Sequence, residues 1–161
     1  MNIAILFDMT MWRPKPIIQT KALGLAWRHG RLLASEIYRD DGTVKGVRPL
    51  GGGLNFGESW RAALVREFQE ELGVTVQLIG TPMMLENIYS HHGETGHEVL
   101  FISDVTFPKD AYQQDGPIEF TEDNGTKCRA FWYDIKDLNV GGAELYPTGL
   151  KTLLQERGKP T

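Results

Sequence analysis

The stretch GGGLNFGESWRAALVREFQEELGV, Gly51 to Val74, constrains the fold most, because its first half cannot be helical and its second half has the period of a helix. Three glycines in a row let the backbone bend sharply and come close to a ligand. From Ser59 onward the pattern changes, with Ser59 as N-cap, a helix to Leu72 and Gly73 as its stop. At about 100° per residue, Leu64, Val65, Phe68 and Leu72 share an arc of roughly 100° that must face a core. On the same wheel Glu67, Glu70 and Glu71 crowd a second arc beside it. Like charges so spaced repel by a few tenths of a kcal/mol per pair.

Around this segment the chain reads as mixed strands. Ile17–Trp27, a turn at His29-Gly30 and Arg31–Tyr38 form a hairpin that Asp40-Asp41-Gly42 ends. Val47–Leu50 delivers the chain into the glycines. Val74–Ile79 and Met83–Tyr89 read as two strands joined by a turn at Gly80 and Pro82, and a polar turn, His91–Gly96, leads into Val99–Val105. Residues 107–127 read as a long acidic loop, of the kind that often carries function. Cys128–Ile135 is a last strand and Thr148–Glu156 a closing helix after Pro147. The expected fold class is α/β, a mixed β-sheet flanked by helices on its faces.

One core suffices for 161 residues of which 41% are apolar. The division expected is an extension over 1–16, a possible edge strand, followed by a single domain over 17–161. A net charge of −4 argues against a nucleic-acid or anionic-membrane surface, and the apolar run Ile3–Phe7 is neither signal peptide nor membrane span. The single cysteine, Cys128, reads as a core thiol in a reducing cytoplasm.

Two readings of the acidic arc stand. It is an ordinary solvated face, or it holds a divalent cation, which reverses the sign of the repulsion, since hard ions such as Mg²⁺ take oxygen ligands. Residue order favours the second. Gly52, five residues, Glu58, seven residues, Arg66-Glu67, apolar Phe68, one residue, Glu70-Glu71, one residue, Gly73 and apolar Val74 match without departure the signature of the Nudix hydrolases. A chance match is of order one in ten million from average residue frequencies. The hairpin from Ile17 and the closing stretch CRAFWYDIKDL also resemble that family, so the likeness covers most of the chain after residue 16.

The resemblance implies an α/β/α sandwich and an Mg²⁺-dependent (or Mn²⁺-dependent) pyrophosphohydrolase of nucleoside diphosphate derivatives. It places the metal ligands at Glu67, Glu70, Glu71 and the Gly51 carbonyl, with Arg66 and Glu58 bracing them. Glu98 is the first candidate to take a proton from the attacking water, with Glu67, then Glu119, Glu122 and Asp123, behind it. Arg48, Gly52 and Gly53 are candidate substrate contacts. His91, His92 and His97 lack metal-ligand spacing, and Trp12, Trp27, Trp60 and Trp132 read as packing before base stacking. The family's markers for dinucleotide cofactors and ADP-ribose are not found, and Tyr89 lies near, not at, a tyrosine spacing associated with diadenosine polyphosphates. Competing readings are a nucleotide sensor without hydrolysis, an RNA 5′-end pyrophosphohydrolase, and the family's isomerase branch, whose catalytic cysteine Cys128 does not match. A homodimer is a further expectation.

Overall fold

The structure is a computed structural model that describes residues 12–158. The possible edge strand over 1–16 falls largely outside them, and its described part, residues 12–16, is not strand. Among the described residues nine strands form one mixed sheet: β1 (Ile18–Arg28), β2 (Arg31–Tyr38), β3 (Val44–Arg48), β4 (Leu50–Gly53), β5 (Gln77–His91), β6 (Glu94–Thr106), β7 (Ile118–Thr121), β8 (Lys127–Tyr133) and β9 (Glu144–Leu145). Helix α1 (Trp60–Leu72) follows β4, and α2 (Leu150–Arg157) follows β9.

The hub is β1, whose Ala22–Ala26 are all buried. It runs parallel to β6 and antiparallel to β4, and at its end turns into β2, which pairs with both β3 and β8. Alternation along β1 divides the core. Ala22 and Ala26 pack with Leu64, Phe68 and Leu72 of α1, while Leu23 and Leu25 pack with Leu150 and Leu154 of α2. The contact between β1 and α1 is close enough that a Cβ on Gly24 would stand 2.4 Å from the Phe68 ring.

The helix boundaries follow from their caps. The Ser59 side chain accepts from the Ala62 amide, and Gly73, at φ 66°, returns its N–H to the Gln69 carbonyl.

Three expectations are corrected. Gly80 and Pro82 do not reverse the chain: residues 77–91 form one strand with an irregularity between Ile79 and Met83. Among the described residues β5 pairs with β6 alone, and an edge strand tolerates a proline and a left-handed glycine as a bulge. The hairpin turn after it is shorter than expected. His92 and Gly93, both with positive φ, suffice, and Glu94 already belongs to β6. Residues 107–127 are not one long loop, because Ile118–Thr121 pairs with β8 as β7.

Candidate active site

The box glycines occupy β4, beside β1, and each has a different physical duty. Gly51 has φ 145°, and a Cβ there would fall 2.0 Å from the Ala22 carbonyl oxygen. At Gly52 a Cβ would meet the Glu67 carboxylate at 2.5 Å. Gly53 has open space, and its carbonyl accepts from Arg66 Nη2 at 3.0 Å.

Arg66 organises the acids. Its Nε and Nη2 donate to the two oxygens of Glu58 at 2.7 and 2.9 Å, a bidentate fork. Its Nη1 donates to Glu67 at 2.9 Å and to Glu70 at 3.2 Å. The Asn55 amide also donates to Glu58, and these bonds, led by Arg66, hold the Glu58 carboxyl down at about 2. Glu67, only 8% exposed, is pushed up by burial against the pull of Arg66.

Among the described residues Glu71 has no such partner. Its Oε2 is buried without a hydrogen bond from any of them, and burial, with the charge of Glu67 beside it, pushes the carboxyl up to about 8. A buried carboxylate oxygen left unpaired is expensive. The donor set here is all hard oxygen, which suits Mg²⁺ or Mn²⁺, and a cation would satisfy the orphaned oxygen and relieve the repulsion. The acids therefore fit a divalent ion. Among the described residues no three His, Cys, Asp or Glu side chains form a ready metal cage, and Arg66 holds oxygens of Glu67 and Glu70.

Glu71 opens onto a small pocket that Arg48, Gly51, Glu122 and Phe120 also line. Arg48, a candidate substrate contact, lines this pocket, and its positive charge acts on Glu71, Glu98, Lys21 and Tyr89 alike.

Glu98 does not line this pocket, although the charge of Arg48 reaches it. In β6 it shares a face with Leu100 and Ile102, which pack on the α2 side, opposite α1. It is 5% exposed, receives Lys21 Nζ at 2.5 Å and Asn87 Nδ2 at 3.3 Å, and Lys21, Arg48 and Asn87 outweigh burial to hold its carboxyl below the usual range. Lys21 itself is pushed down by burial and by Arg48. This ion pair went unread in the sequence, although a lone lysine inside KALGLAW was a visible signal.

The other candidates separate. Trp60 stacks on Phe101 at 5.6 Å, Trp27 donates to Asp104, and Trp132 packs with Phe107 under Arg28. Trp12 meets His91 edge-on and lies over Lys21. His91 and His92 meet edge-on at 4.2 Å, but His97 is apart from them: His92 pairs with Asp40, His97 with Glu86, and His91 lies 3.4 Å from Lys45. Cys128 is buried, and burial pushes its thiol up to about 12.

Comparisons with known proteins bear on the family and the fold. Residues 24–154 match the NUDIX domain. No curated protein matches the chain. Among solved structures it is similar to a MutT NUDIX hydrolase from Burkholderia pseudomallei, at 19% identity and TM-score 0.58, with 84% of this chain and 95% of that one covered. A NUDIX-family hydrolase from Clostridium perfringens gives 14% identity and TM-score 0.53, covering 87% and 95%. An ADP-ribose pyrophosphatase from Streptococcus suis gives 15% and 0.51, covering 88% and 94%. With the domain matched over most of its length and the fold shared, the chain belongs to the Nudix hydrolase family, enzymes that act on the pyrophosphate bonds of nucleotide derivatives.

Proposed function

We propose that the protein is an Mg²⁺-dependent pyrophosphohydrolase, with Mn²⁺ as a substitute, that cuts the diphosphate linkage of a small nucleotide derivative. Its substrate would be a canonical or oxidised deoxynucleoside triphosphate, a dinucleoside polyphosphate or a nucleotide sugar. The observation that carries this reading is the unpaired, buried oxygen of Glu71 in a pocket shared with Arg48 and Gly51. On this reading Glu67, Glu70, Glu71 and the Gly51 carbonyl would hold the ion.

When bound, a divalent ion supplies charge neutralisation at the diphosphate and a more acidic water. The chain supplies the rest. Glu58 keeps Arg66 in one orientation, and Arg66 fixes Glu67 and Glu70, so the ligands are held in place before substrate arrives. Gly52 leaves room for Glu67 to lie against β4. Arg48 takes a phosphate oxygen and orients the diphosphate in the pocket. The reading extends to a cytoplasmic protein, in keeping with the lone Cys128, and to a homodimer, which sedimentation would check. Among the described residues no helix is long and apolar enough to cross a membrane.

The test is product analysis by mass spectrometry over a panel of nucleoside diphosphate derivatives with Mg²⁺ or Mn²⁺, beside Glu70→Gln. Cleavage of one compound, lost without metal and in the variant, supports the proposal. Binding of metal and nucleotide with no product across the panel would replace it with a sensor.

A further inference from the structure

Hydrolysis needs an acceptor for the proton of the attacking water, and most acids near the site are already committed. Glu58, Glu67 and Glu70 accept from Arg66, Glu98 accepts from Lys21 and Asn87, and Glu36 accepts from Arg129. Glu71 is needed for the ion.

Glu122 differs from all of these. It follows β7, in which Ile118 and Phe120 point into the core against α1 while Glu119 and Thr121 are exposed, and it keeps the inward parity. The tight turn to β8 fixes its backbone, with its amide donating to the Thr126 carbonyl at 2.9 Å and its carbonyl accepting from Gly125 at 2.8 Å. Its half-buried side chain lines the same pocket as Glu71, Gly51 and Arg48. No ion pair among the described residues engages it. The neighbouring Cys128 thiol donates to the Thr126 carbonyl at 3.7 Å, so the Glu122 carboxylate keeps its acceptor capacity.

Resting on the hydrolase reading above, we propose that Glu122 is the catalytic residue that takes the proton from the attacking water. The water oxygen bonds to phosphorus as the bridging P–O bond breaks. The water proton passes to the Glu122 carboxylate, and the bond's electron pair leaves on the departing phosphate oxygen. Glu98 then serves as a positioning residue that holds Lys21 beneath the opposite face of the sheet. Because β7 and β8 grip both ends of a short turn, Glu122 is presented by a rigid hairpin, without a swinging loop.

The experiment compares Glu122→Gln, Glu122→Asp and, on the far helix α2, the exposed Glu156→Gln with the wild type. It reads kcat and KM on whichever derivative the wild type cleaves, and Mn²⁺ affinity by electron paramagnetic resonance. Loss of a proton acceptor is expected to lower kcat about 10²- to 10⁴-fold in Glu122→Gln, with KM and Mn²⁺ affinity close to wild type. Glu122→Asp, which keeps the carboxylate but withdraws it, should fall in between, and Glu156→Gln should match wild type. A kcat of Glu122→Gln within tenfold of wild type would overturn the assignment. So would Mn²⁺ affinity falling in step with kcat, which would make Glu122 a ligand. A wild type that cleaves nothing sinks the hydrolase proposal itself, whereas cleavage that survives in Glu122→Gln sinks only this one.

Discussion

Gly52 and Glu67 meet at a distance that leaves no room for a methyl group, since a Cβ at residue 52 would stand 2.5 Å from both Cδ and Oε1 of Glu67. Gly52→Ala should therefore displace the carboxylate and leave the backbone of β4 in place. Displacements of about 1 Å in a catalytic constellation reduce turnover on the order of 10²-fold. We expect that loss in kcat with a melting temperature within a few degrees of wild type, and equal damage to both would show that the glycine serves folding instead. Glu71 carries a different consequence. Its carboxyl is raised to about 8 by burial and by Glu67, so between pH 4.5 and 8 the folded chain keeps a proton that the unfolded chain has lost. Stability of the metal-free protein should fall as pH rises through that window and level off above it. Burial shifts Glu67 in the same direction. Urea midpoints across pH would reveal the slope, and either Glu71→Gln or saturating Mg²⁺ should flatten it. A midpoint that rises over the same interval would contradict the assignment.

Among the elements, α1 was legible in full, because its period, its Ser59 cap and its Gly73 stop all lie within fifteen residues of one another. Gly73→Ala puts a side chain at φ 66°, and the strain should lower stability by about 1 kcal/mol with kcat unchanged. Chemical denaturation beside steady-state kinetics would separate the two. β5 was misread because Gly80 and Pro82 carry the same local signal whether the chain turns or bulges. What decides is pairing with β6 on both sides of the bulge, and such pairing is invisible to a local window. β7 and β9, four and two residues long, owe their existence to β8 and β3 in the same way. The site divides along the same line. The acids of α1 and their Arg66 brace follow from spacing on one helix, whereas Lys21 and Glu98 are 77 positions apart, and Glu122 reaches the pocket only through the register of β7 on β8.

On the scale of the whole molecule, the segment between β6 and β7 is sewn down from two directions. The Tyr112 hydroxyl donates to the Leu72 carbonyl at the end of α1, at 2.6 Å. From the end of β1, Arg28 donates to the carbonyls of Tyr112 and Gln114 at 3.0 and 3.1 Å, and it also engages the Gln113 carbonyl and the Asp115 carboxylate. One guanidinium thus takes the place of a strand partner for four consecutive residues of an otherwise irregular crossing. Lys109 lies exposed within that crossing. Digestion by a protease requires a dozen or so residues to detach and extend, so this single side chain should govern how long the native protein survives trypsin. Arg28→Ala should be nicked after Lys109 many times faster than the parent at equal melting temperature, as gel densitometry over a time course would show, and an unchanged half-life would mean that Tyr112 and the packing of Phe107 hold the crossing without it.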